Sequence, residues 1–242
     1  MPLEEYHGET FVAFMDISGF KALMKDAKNA YRALSLFYQT GYNALRSGQN
    51  RNCFFRVDGL FISDCGILFS RLNNGNYSNG HFDERGSALE NLLSMIEVIS
   101  REMIENELML TTSIAYGKFD YHEKISFPGI EKNLLLGNAY VDAYLDNEVG
   151  KPKLQPGQCR ILTNNQMNGF WQDVIRSAGK ESMIFSRLRK IHSDSKHLYF
   201  YWMLSGEHEI ESFNLKYNDT YNLRYRGMVT VLKQFANGII ES

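Results

Sequence analysis

Phe11-Val12-Ala13-Phe14-Met15-Asp16-Ile17-Ser18-Gly19-Phe20 is an apolar run that ends on a carboxylate, passes through Ser-Gly and enters a helix-periodic segment. The run has the length and bulk of a buried strand. A strand that ends in Asp and turns through small residues into a helix can gather three things: a metal-binding carboxylate, free backbone N–H groups and the positive end of a helix dipole. Together these make a site for a metal-bound polyphosphate. Taken alone, the same stretch reads more plainly as a strand end whose Asp caps the next helix, and the rest of the chain has to decide.

The length of 242 residues fits one large domain or a domain with an appendage. Hydrophobic residues at 44% suffice for a sizeable core, and no segment reaches the length of a membrane span. The acidic start, Met-Pro-Leu-Glu-Glu-Tyr, lacks the basic and apolar regions of a signal peptide. Cys53, Cys65 and Cys159 are widely spaced without a metal-ligand pattern, which suits reduced thiols in a cytoplasmic protein with no membrane contact of its own. Net charge is −2 with both signs interspersed, so no basic patch points to nucleic acid. The histidines are scattered and form no evident ligand set.

Outward from the first strand, residues 1–10 read as a polar lead-in and 11–242 as a single domain, with a core over 11–148 and a C-terminal extension over 149–242. From Lys21 to Ser47, Leu23, Ala27, Tyr31, Leu34, Tyr38, Tyr42 and Leu45 fall at helical steps. Residues 53–69 are β-rich with two candidate turns, Asp58-Gly59 and Ser63-Asp64-Cys65-Gly66. The second is favoured, because it leaves equal apolar arms, Leu-Phe-Ile and Ile-Leu-Phe. Residues 72–85 form a polar loop. A second helix presents Leu89, Leu92, Ile96, Ile99 and Met103 on one face, and Leu110 to Tyr116 is a strand closed by Gly117. Strand, helix, hairpin, helix, strand is the βαββαβ order of a ferredoxin-like α/β (α+β) sheet with both helices on one face. Residues 118–135 read as an irregular excursion, followed by a helix started by Gly137. A short strand at Arg160-Ile161-Leu162, a helix over 165–178, a strand from His197 to Leu204 and a last helix over Tyr225 to Ile239 complete the chain. Arg187-Leu188-Arg189-Lys190 reads as a solvated face, with a triphosphate contact as the other reading.

Two carboxylates, Asp16 and Asp64, fall at strand ends of the same expected sheet, where they can converge. Close carboxylates repel unless a cation lies between them. Oxygen ligation with open positions suits Mg²⁺ or Mn²⁺ carrying a nucleoside triphosphate. Two such ions would activate an attacking hydroxyl and neutralise the leaving pyrophosphate. Asp16, the Ile17 backbone and Asp64 are the expected metal ligands, with Asp58 as the reserve second carboxylate. Ser18, Gly19 and Phe20 would offer N–H groups to the phosphates.

Val12 to Phe20 resembles the first metal motif of class III nucleotide cyclases, and Ser63-Asp64-Cys65-Gly66-Ile67-Leu68 resembles their second metal-binding hairpin. Leu110 to Gly117 sits where those enzymes carry the next core strand. Leu136-Gly137-Asn138-Ala139-Tyr140-Val141-Asp142 is similar to the start of their later catalytic helix. Within the class, Ile-Ser-Asp-Cys and Gly-Asn-Ala-Tyr-Val-Asp-Ala-Tyr are most similar to the Pycsar anti-phage pyrimidine cyclases. That resemblance implies a homodimer that makes cyclic UMP or cyclic CMP, with UTP preferred over CTP as substrate, for a separate effector protein to read. The class usually places an Asn and an Arg in the later helix, where this chain has Asp142 and Asp146. A cation is still expected near the transferring phosphorus, with Arg71, Arg160, Arg187 and Arg189 as candidates. Phe54 and Phe55, on the strand before Asp64, read equally as core or as a base pocket, which Asn138 and Asp142 would share with the ribose. Two other readings stay open: a purine cyclase, and a degenerate cyclase-homology domain that binds nucleotide as a regulatory module.

Overall fold

The computed structural model describes residues 3–49, 55–72, 82–127, 130–163, 169–177, 182–191, 193–204 and 209. The first strand, β1 (Tyr6–Ile17), is buried on both faces from Thr10 to Met15, which explains its continuous apolar run. It starts earlier than expected, so residues 6–10 of the lead-in are strand. Phe11, Ala13, Met15 and Ile17 pack into one core cluster, and Val12 and Phe14 into a second on the other face. By that alternation Asp16 projects on the side of Val12 and Phe14.

A sharp break divides the first helical segment. α1 (Phe20–Leu23) is one turn, and α2 (Ala27–Gln49) starts afresh where the Asp26 carboxylate accepts from the Lys28 amide at 2.9 Å. Asp26 is an N-cap, which a continuous helix had concealed. The buried stripe of α2 is Ala33, Phe37, Ala44 and Leu45, whereas Tyr31 and Tyr42 are exposed, a correction to the face expected from spacing. Gly41 is small because the Phe61 ring lies where a Cβ would stand.

β2 (Phe55–Ile62) and β3 (Cys65–Leu72) form the hairpin turned at Ser63-Asp64, with Ser63 at φ 56. α3 (Phe82–Glu105) buries all five apolar residues expected on its face. β4 (Leu110–Phe127) runs through Gly117 and is paired with β5 (Ile130–Leu136), so most of the expected excursion is a long hairpin. Gly117 is a packing glycine: a Cβ there would meet the Asn138 side chain at 2.7 Å. α4 (Asn138–Val149) follows Gly137, whose φ of 117 and contact with the Lys118 carbonyl leave no room for a side chain.

Beyond the core come β6 (Cys159–Leu162), α5 (Phe170–Ser177), β7 (Leu188–Ile191) and β8 (Asp194–Phe200). β7 replaces the expected solvated face, since Arg187 and Arg189 are buried. The last expected helix lies outside the described residues. The sheet runs β2-β3-β1-β4-β6-β8-β7, with β5 paired to β4. Its first four strands, antiparallel in the order β2-β3-β1-β4, reproduce the expected ferredoxin-like core. α2 and α3 lie with the first cluster, and α4 with the second.

Candidate active site

Asp16 stands directly across from Cys65 in the β1–β3 register, and the Ile17 amide donates to the Asp64 carbonyl at 3.1 Å. The end of β1 is thereby stitched to the hairpin tip. Ligand atoms of Asp16, Asp64 and Cys65 lie within 4.8 Å of one another. Burial and the Asp64 charge raise the Asp16 carboxyl from its ordinary 3.8 to about 7, with a further push from Glu148, although the Cys65 thiol at 3.6 Å partly relieves it. Burial and the same two carboxylates push the Cys65 thiol up to about 12. A crowded pair of acids of this kind is the electrostatic state that a divalent cation relieves.

The Ser18 amide is committed to the Met109 carbonyl at 2.8 Å and is therefore unavailable to a phosphate. Gly19, at φ 75, and Phe20 lead into the single turn of α1, a much shorter dipole than a helix starting at Lys21 would supply. Among the described residues, the buried Ser18 hydroxyl oxygen has no hydrogen-bond partner. A buried hydroxyl left without a partner two residues after Asp16 fits a polar ligand or a hydrated cation. The donor set also fits: two hard carboxylates accept Mg²⁺ or Mn²⁺, and an adjacent sulfur is tolerated better by Mn²⁺.

Other expected site residues lie elsewhere. Asp58 is in the middle of β2, buried, with Arg56 Nε at 3.2 Å and Arg71 Nη1 at 3.4 Å, so it is neutralised by arginines rather than poised at the tip. Phe55 belongs to the cluster on the α2–α3 face, opposite Asp16, which makes it core and not base pocket. It lines a cavity of about 360 Å³ between α2 and α3 that includes no part of the Asp16 cluster. Phe54 lies outside the described residues. Asn138 and Asp142 are on α4; Asn138 is exposed and packs against Gly117. The opposite end of α4 reaches the candidate site: Asn147 Nδ2 donates to the Phe14 carbonyl at 3.4 Å, and the Glu148 charge acts on Asp16.

The arginine candidates are all engaged. Arg71 serves Asp58, and Arg187 grips Glu97 at 2.6 Å. Arg189 donates to the Ser186 and Leu188 carbonyls. Arg160, fully buried, holds Asp146 through Nε and Nη2 at 2.8 Å. Ser113 also donates to Asp146, and His197 bridges it at 2.9 Å to Asp194 at 2.8 Å. Burial alone would raise the Asp146 carboxyl, but the His197, Arg160 and Ser113 hydrogen bonds outweigh it and hold the group down to about 2. Asp146 therefore anchors α4 from beneath. Neither this network nor the nearness of Cys65 and Glu148 to Asp16 has a local signature in the sequence beyond the Asp-Cys dipeptide at the hairpin tip.

No protein-family model and no curated protein matches this chain. Solved structures do. The guanylate cyclase domain of RhGC from Catenaria anguillulae, in complex with GTP, aligns over 81% of this chain and 96% of that one at 10% identity, with a TM-score of 0.53. The chain has the nucleotide cyclase fold. A bacterial light-regulated adenylyl cyclase aligns over 96% of this chain and 59% of its own, at 12% identity and a TM-score of 0.54. Two guanylyl cyclase domains of RhoGC from Blastocladiella emersonii, one described as dimeric and one as monomeric, each reach a TM-score of 0.53 at 11% and 12% identity. They cover 82% and 83% of this chain and 98% of their own.

Proposed function

We propose that this chain is a nucleotide cyclase that converts a pyrimidine nucleoside triphosphate, UTP ahead of CTP, to the 3′,5′-cyclic monophosphate and pyrophosphate. The observation that carries the proposal is the convergence of Asp16 and Asp64 at the stitched ends of β1 and the β2–β3 hairpin. The ribose 3′-oxygen forms a bond to the α-phosphorus, the bond from that phosphorus to the pyrophosphate oxygen breaks, and the hydroxyl proton leaves to solvent. Asp16, Asp64 and the Ile17 backbone would hold Mg²⁺ or Mn²⁺, in the two-ion arrangement the class resemblance implies. When bound, such ions offset the negative charge of the triphosphate and its leaving group. The amides of Gly19 and Phe20 are the ones left for phosphate contact.

The active form we infer is a homodimer. The inner face of α4 buries Ala139 and Ala143, while its outer face exposes Val141, Tyr144, Leu145 and Val149; Ile62 is exposed beside Asp64. An exposed apolar face of this kind beside the candidate site calls for cover. A second copy would supply that cover and bring α4 of one protomer to the Asp16 end of the other. The pyrimidine preference, and with it a role in anti-phage defence through a separate cyclic-nucleotide effector, rests on the Ile62-Ser63-Asp64-Cys65 and Gly137-to-Tyr144 resemblances.

A purine cyclase is the second reading, favoured by neighbours described as adenylyl and guanylyl cyclases. Incubation with ATP, GTP, CTP and UTP in turn, with Mn²⁺ or Mg²⁺ and mass analysis of the products, separates these readings. A single cyclic pyrimidine monophosphate is expected. A cyclic purine product would keep the cyclase and reject the pyrimidine assignment. Nucleotide binding without any product would indicate the regulatory module, which the commitment of all four candidate arginines favours.

A further inference from the structure

At the far end of β1, the fold assembles a second cluster that the sequence reading dispersed. The β1–β4 register pairs Tyr6 with Tyr121 and His7 with Asp120, and Glu5, immediately before β1, reaches His122 next to them. Tyr6 and Tyr121 point into the core cluster on the α4 side. His7, Asp120 and His122 therefore project together from the opposite face, because side chains alternate along paired strands, and the Glu5 carboxylate joins them. The contacts agree. His7 Nδ1 lies 3.0 Å from Asp120 Oδ1, His122 Nδ1 lies 3.9 Å from Glu5 Oε1, and the two imidazole rings are 4.7 Å apart between centroids. Ligand atoms of Glu5, His7 and His122 all fall within 4.8 Å of one another. A register shift in β4 follows directly after His122, and such irregularities often re-aim side chains at functional positions.

We infer that Glu5, His7 and His122 form a binding site for a first-row transition dication of the Zn²⁺ type, with Asp120 orienting the His7 ring. Two imidazoles with a carboxylate select such ions over Mg²⁺ or Ca²⁺, which prefer oxygen alone. The Nδ1 pairing of His7 with Asp120 leaves Nε2 for the metal, the arrangement in which a carboxylate fixes a ligating imidazole. Ligand atoms around tetrahedral Zn²⁺ stand roughly 3.3 Å apart at bond lengths of about 2.0–2.1 Å. Small rotamer changes in the exposed Glu5 and His7 and the half-buried His122 would close the set. The site is separate from the nucleotide centre: at the strand rise, His7 lies roughly 30 Å along β1 from Asp16. Bound metal would clip the start of β1 to β4.

The test is calorimetric titration of the full chain with Zn²⁺, using Asp16→Asn/Cys65→Ser to disable the other candidate metal group. That double variant is expected to retain one equivalent of Zn²⁺ binding and a Zn²⁺-dependent rise in melting temperature. Adding His7→Ala or His122→Ala to it should weaken binding at least about tenfold and remove the rise, with the far-ultraviolet spectrum unchanged; Asp120→Asn should weaken binding by about 10–100-fold. Millimolar Mg²⁺ should not compete. Zn²⁺ binding that persists unchanged without His7 and His122, equal competition by Mg²⁺, or no Zn²⁺ binding by the Asp16→Asn/Cys65→Ser protein would overturn the inference.

Discussion

Asp16 sets the demands of folding against those of the proposed metal site in one side chain. Its folded pKa of about 7 lies above the ordinary 3.8, so the folded protein prefers the protonated acid. That contribution is full below pH 3.8 and is lost as pH rises through 7. In metal-free protein at about pH 8 the ionised group costs on the order of 2–4 kcal/mol. Asp16→Asn should therefore raise the melting temperature there, while removing any gain from Mn²⁺. Equal melting of the two proteins would contradict the electrostatic account. Asp146 has the opposite sign. Held down to about 2, it adds stability above pH 3.8 that is lost as pH falls toward 2, on the order of 2 kcal/mol. Denaturant midpoints measured from pH 5 downward should show that loss, and Asp146→Asn should flatten it.

At the scale of elements, the strength of each periodic signal decided what could be read from the sequence. β1 and the face of α3 were legible because burial on two faces or one stripe writes itself into the apolar spacing. The α1–α2 break was hidden, since Asp26 as a cap looks like any polar residue within a helix. Gly117 looked like a stop because a glycine that makes room for Asn138 is indistinguishable in sequence from one that ends a strand. Asp16 and Asp64 were legible as strand-end acids. Arg160 was not, because a buried ion pair between β6 and α4 leaves no local pattern. Arg160→Ala should cost about 3–5 kcal/mol, since it strands a buried Asp146 charge. Gly137→Ala should cost on the order of 1–3 kcal/mol, given its φ of 117 and the Lys118 carbonyl against it. Urea denaturation reads both, and losses below about 0.5 kcal/mol would show that α4 is anchored differently.

For the whole molecule, the sheet places the acids at one end of β1 and leaves the apolar outer face of α4 beside them. If a second copy covers that face, Val141→Glu with Leu145→Glu should shift the sedimentation mass from dimer to monomer and reduce turnover by roughly 10²-fold or more, since the composite site would be lost. A wild-type monomer with full turnover would remove the need for a partner. If Asp16 and Asp64 form a metal-dependent cyclisation centre, pyrophosphate release depends on both carboxylates and on a divalent cation. Wild type should release pyrophosphate from its preferred nucleoside triphosphate only with Mn²⁺ or Mg²⁺, and Asp16→Asn and Asp64→Asn should each lower the rate by roughly 10²–10³-fold. Release that continues undiminished in either variant, or without a divalent cation, would contradict it.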